Sequence, residues 1–152
     1  MGYFERLLTC RTCFSNIGAY NRNLSDWDTS SVINMKSMFN DANIFNGNIS
    51  GWDTSSVINM RFMFRRATVF NGKSSNWDTL SMTDMREMFS DAVAFNADFS
   101  SWDTSSLAKM YQMIYSPSRS TKTSVHGATT FHTLTPMISS WNQAVPFKIS
   151  HS

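Results

Sequence analysis

The chain has 152 residues, a formal net charge of +2 at pH 7 and 41% hydrophobic residues. That length is one domain's worth, and so small a charge gives no ground for nucleic-acid binding. No stretch approaches the roughly 18 apolar residues of a membrane span.

The opening, Met1 to Phe14, carries Glu5 and Arg6 and lacks the apolar run of a secretory signal. Arg6 stands where a myristoylation motif requires Ser or Thr. Cys10 and Cys13 form a C-x-x-C, the spacing of a redox pair or half a zinc site. No second Cys pair exists, and His126, His132 and His151 are not at paired ligand spacing. Register decides the matter: both cysteines fall on apolar columns of the repeat described next, so core packing is the expectation.

From Tyr20 onward the chain repeats every 25 residues. Trp27, Trp52, Trp77 and Trp102 align, each followed by an aspartate (Asp28, Asp53, Asp78, Asp103) and a threonine. Tyr20, Phe45, Phe70 and Phe95 align before Asn21, Asn46, Asn71 and Asn96. Two methionine columns (Met35, Met60, Met85, Met110 and Met38, Met63, Met88, Met113) and a Phe39, Phe64, Phe89, Ile114 column follow. A drift-free period of this length marks a stacked repeat array. A WD-type propeller is excluded, because a blade needs about 40 residues and four strands.

Within one unit the apolar residues Val32, Met35, Met38, Phe39 and Ala42 trace one stripe of an α-helix. Ser31, Ser56 and Ser106 stand where an N-cap belongs. The segment Phe45 to Trp52 reads as a turn and a brief strand. The expected fold class is therefore α/β: a leucine-rich-repeat-like solenoid with one helix and one short strand per unit. The solenoid is expected over 1–115, opening partway through a unit. A Ser/Thr-rich linker follows at 116–130, and a degenerate final repeat at 131–152, where Leu134, Met137, Trp141 and Phe147 reproduce the offsets.

Repeated polar residues are read as structural ladders. The aspartates are expected to accept backbone N–H bonds in Asx-type turns. A calcium ladder on Asp28, Asp53, Asp78 and Asp103 is the sharper alternative, although one carboxylate per coil is thin for an ion taking six to eight oxygens. Asn21, Asn46, Asn71 and Asn96 are expected to form a buried stack bonding the turn backbone. Asn48-Ile49-Ser50 fits the glycosylation sequon.

Specificity must lie where the units differ. Arg11, Lys36, Arg61 and Arg86 form a basic line; Arg65 and Arg66 add charge beside the non-repeated Phe62. Lys36, Arg61, Phe62, Arg65, Arg66 and Arg86 are the candidate binding surface, suited to an acidic partner. The rival reading is a solvated face balanced by Asp41, Glu87 and Asp91. No phosphate loop, nucleophile elbow or paired ligand signature is present, so no catalytic activity and no cofactor are expected.

The units "FNGNISGWDTSSVINMRFMFRRATVFNG" and "FNADFSSWDTSSLAKMYQMIYS" resemble the BspA-like leucine-rich-repeat surface proteins, over roughly residues 7–115. The resemblance implies a leucine-rich-repeat-like solenoid at a cell surface, in adhesion or protein binding, without catalysis. The expected partner is a protein or an acidic polysaccharide, with end-to-end self-association as a further expectation from exposed stack ends. Two alternatives stand beside this: a structural segment or decayed fragment of a longer array, and a calcium-stabilised solenoid.

Overall fold

The computed structural model describes residues 14–15, 21–96, 99 and 101–115. Residues one period apart lie over one another, so the chain forms a stack of 25-residue rungs. We number them rung 1 (21–45), rung 2 (46–70), rung 3 (71–95) and rung 4 (96–115). Asn34, Asn59, Asp84 and Lys109 mark the register as successive parallel bridges.

The expected helix and strand are absent. Among the described residues there is no helix, and the three isolated bridges are the only β pairing. The backbone hydrogen bonds of residues 35–42 show why. The N–H groups of Met35, Ser37, Phe39 and Asp41 donate to the carbonyls of Asn59, Arg61, Met63 and Arg65 on the next rung, at 2.8–2.9 Å. The residues between them turn back: Met38 donates to the Met35 carbonyl, Asn40 to Ser37 and Ala42 to Phe39. None of these bonds runs to the fourth residue back, as a helix requires. The segment is a chain of tight turns whose alternate amides join neighbouring rungs. Ser31 and Ser56 accordingly cap nothing, and residues 45–52 contain no strand.

Two turns in each of rungs 1 to 3, and one among the described residues of rung 4, close with their third residue in the left-handed region, as a type II turn demands. Ser37, Phe62, Glu87 and Gln112 occupy the first such column at φ 50–60°, and Asp41, Arg66 and Asp91 the second at φ 58–60°. Each non-glycine residue there costs about 1–2 kcal/mol. Rung-to-rung bonding and the core must offset that cost.

The core is the set of apolar columns. Val32, Met35, Met38, Phe39, Ala42 and Phe45, with their equivalents in rungs 2 and 3, are at most 5% exposed. Phe39, Phe64 and Phe89 stack face to face at 5.3 and 5.5 Å, and Phe45, Phe70 and Phe95 stack alongside at 5.9 Å. Burying each Phe or Met contributes roughly 1.5–3 kcal/mol, and repetition makes that contribution continuous along the stack.

Close approach of rungs dictates Gly47, where an added Cβ would collide with the Arg22 carbonyl oxygen and meet the Phe45 ring at 2.8 Å. One position breaks the columns. Ser74 stands where Leu24 and Ile49 precede it and Phe99 follows; it is 1% exposed, and its hydroxyl has no partner. In the same rung the Trp77 indole N–H is also unpaired, whereas Trp52 donates to the Leu24 carbonyl and Trp102 to that of Ser74. Cys10, Cys13, Arg11, the 116–130 linker and the 131–152 repeat lie outside the described residues.

Candidate functional site

Four polar ladders join or brace the rungs. Asn21, Asn46 and Asn71 each accept, through Oδ1, the backbone N–H of the asparagine one rung on, at 2.8–2.9 Å. The asparagines, including Asn96, are exposed. Thr29, Thr54 and Thr79 are buried and donate their hydroxyls to the carbonyls of Asp53, Asp78 and Asp103 on the next rung, at 2.8–2.9 Å. Sequence reasoning did not single out this threonine ladder, although the invariant residue after each Trp-Asp pair was its signal. Trp52, Trp77 and Trp102 are buried beside it, and Trp27 is partly so.

The aspartates of the Trp-Asp pairs are exposed. Asp28 accepts both the backbone N–H and the hydroxyl of Ser30, and Asp53 does the same with Ser55. Asp78 accepts the Leu80 N–H and Asp103 the Ser105 N–H. The serine hydroxyl bond, then the amide bond, holds the carboxyls of Asp28, Asp53 and Asp103 below the ordinary carboxylate range. Among the described residues no three His, Cys, Asp or Glu side chains are grouped to hold a metal ion.

The sequence-selected cations gather on another face. In rung 2, Arg61, Phe62, Arg65 and Arg66 sit side by side on the turn segment, below Lys36 and above Arg86 in the stacking order. Phe62 is half-buried at φ 60°. The Arg61 guanidinium lies 4.2 Å from its ring centroid and that of Arg65 5.5 Å, both within cation–π range. The side-chain Nε atoms of Arg61 and Arg65 are buried and make no hydrogen bond.

Carboxylates approach some of these cations. Arg66 lies 3.4 Å from Asp41. Arg65 Nε lies 3.3 Å from Glu87, near enough for an ion pair but not aligned as a hydrogen bond. Arg86 is held most firmly, donating from Nε and Nη2 to the two oxygens of Asp84 at 2.9 and 2.6 Å. Burial raises the Asp84 pKa, but the Arg86 hydrogen bonds and the charges of Arg86 and Arg61 outweigh it, leaving the carboxyl below its ordinary value.

Asp84 belongs to a second ladder that sequence reasoning passed over. Asn34, Asn59 and Asp84 each accept the backbone N–H of the residue two further on, at 3.0–3.1 Å. The alignment Asn34, Asn59, Asp84 was visible at the 25-residue period. Its third member differs by carrying a charge.

A stack of 25-residue rungs with conserved-in-place core columns and a varied outer face defines a repeat protein. The chain belongs to the family described as Mycoplasma protein of unknown function, DUF285, whose model matches residues 8–128. No curated protein and no solved structure matches the chain. No helix among the described residues is long and apolar enough to cross a membrane.

Proposed function

We propose that this chain is a non-catalytic binding module of a cell-surface repeat protein, acting in adhesion or protein binding as the resemblance to BspA-like surface repeats suggests. Its partner docks on the outer face built by Lys36, Arg61, Phe62, Arg65 and Arg66. One observation carries the reading. In the left-handed column the neighbours of Phe62 are Ser37, Glu87 and Gln112, yet rung 2 holds a large aromatic there, half-exposed and flanked by two guanidinium groups. The left-handed backbone recurs in every rung of this column; what is particular to rung 2 is that a bulky ring, a residue type rarely placed there, occupies it. Aromatic and arginine side chains are also the types enriched among binding hot spots.

The test is retention of beads coated with the 152-residue chain on surfaces bearing an acidic polysaccharide or an acidic protein. Wild-type beads should be retained, and beads carrying Arg61→Gln, Arg65→Gln and Arg66→Gln together should be released. Equal retention of the two would remove this face from the function.

A further inference from the structure

The cations of the outer face differ in how far they are already neutralised. Arg86 is closed on Asp84 by two side-chain hydrogen bonds. Arg66 has Asp41 at 3.4 Å, and Arg65 has Glu87 at 3.3 Å in an unaligned pair. Arg61 meets no carboxylate among the described residues within salt-bridge distance. Its guanidinium rests on the Phe62 ring, and its buried Nε has no acceptor. Arg65 shares that ring and likewise has an Nε without a hydrogen bond.

The buried Nε atoms are out of reach from solvent, so an outside acceptor must meet the terminal N–H groups of guanidiniums that the ring contact holds in place. Guanidinium donors form a planar fork that matches the oxygens of a carboxylate or of a sulfate-type group. Two such forks on one ring form a seat for an oxyanion.

Two rungs further on, Tyr111 lies in the column of Arg61 and Tyr115 in that of Arg65, 48% and 39% exposed. Exposed rings along a charged face offer stacking surface to the C–H faces of sugar rings. Asp84 bounds the seat: where Asn34 and Asn59 accept only a backbone N–H, Asp84 also withdraws Arg86 from the face.

Resting on the binding role proposed above, we propose that Arg61, Phe62 and Arg65 form an oxyanion seat for the acidic groups of a polysaccharide. Asp84 sets the limit of that seat by holding Arg86 away. The oxyanion is a sulfate ester or a uronate carboxylate, and the two sources are told apart by the probes below.

The experiment is titration of the full chain with dextran sulfate, polygalacturonate and polyglutamate over a range of NaCl concentrations. It uses wild type, Arg61→Gln, Arg61→Lys and Asp84→Asn, each first checked by thermal unfolding. One of the two polysaccharides should bind tighter than polyglutamate, and which one identifies the oxyanion. Arg61→Gln should weaken binding about tenfold or more, the size of a lost charge-assisted hydrogen bond. Should that variant fail to fold, Arg61→Lys, which keeps the charge but not the fork, should still weaken it. Asp84→Asn retains an acceptor for the Arg86 amide and frees the guanidinium; it should tighten binding about threefold to tenfold and steepen the salt dependence by about one ion.

Preference for polyglutamate would overturn the polysaccharide assignment in favour of an acidic polypeptide. Polymer binding that the Arg61 and Asp84 variants leave unchanged would overturn the seat alone. No binding of any polymer would overturn both the seat and the acidic partner of the binding role.

Discussion

Ser74 shows how much one residue matters in a periodic core. Leu24, Ile49 and Phe99 fill its column with apolar bulk, whereas Ser74 buries an unpaired hydroxyl. Replacing Ser74 with Ile restores the column and removes the orphan donor. The variant should gain about 1–2 kcal/mol from apolar burial and relief of the unpaired group, read as a raised midpoint in denaturant unfolding with unchanged slope. A lowered midpoint would mean that the rung 3 backbone is too tightly closed there to accept the larger side chain. The residue scale is also where the sequence was most legible. Val32, Met35, Met38, Phe39 and Ala42 were read as inward-facing, and all are at most 1% exposed.

At the scale of the rung, that same set misled. Spacings of three and four residues bring side chains to one side of a helix, but a chain of type II turns does so equally well. The residues that distinguish the two are those at positive φ, and glycine or asparagine usually announces them. In the first column Ser37, Phe62, Glu87 and Gln112 hold those positions and leave no compositional mark; in the second, Asp41 and Asp91 are of a type that tolerates the left-handed region, but Arg66 between them is not. The cation cluster was partly legible, since the period aligned Lys36, Arg61 and Arg86. What could not be read was the folding back of Arg86 on Asp84, two residues away.

The rung also carries a pH dependence. Asp28, Asp53 and Asp103 are held below the ordinary carboxylate range by the serines two residues on, and Asp84 chiefly by Arg86 against the opposing effect of burial. A depressed folded-state pKa gives a contribution fully present above the unfolded value of about 4, lost as pH falls through the folded value. The thermal midpoint should therefore be insensitive to these groups near neutrality and decline as pH drops below about 4. Exposure of the first three keeps their share small. Asp84→Asn should flatten the decline, and an undiminished acid-induced decline in that variant would place it elsewhere.

For the whole molecule the repeat makes length a quantised variable. Excising residues 46–70 joins Phe45 to Asn71 and leaves every column in register, since stability in such arrays is approximately a sum over units and their interfaces. That deletion should retain a cooperative unfolding transition at a lower temperature. Excising half a rung places Trp and Asn positions over Met and Phe positions and should abolish the transition. Survival of the half-rung deletion, or collapse of the full one, would count against the columns as the source of stability.

The alternate amides of each rung bear on the molecule's electrical character. From Met35 to Asp41, from Met60 to Arg66 and from Met85 to Asp91, four N–H groups per rung point to the later rung and receive carbonyls pointing back. Contrary bonds, such as Ile58 and Thr83 to the rung before, are fewer. Peptide dipoles aligned in this way add, as they do in a helix, but with the opposite sense along the chain: the later edge is positive and the earlier edge negative. The stack is therefore a vectorial object. An amide-lined edge matches a carbonyl-lined edge and not its own kind, so rungs of this kind can add to one another only head to tail.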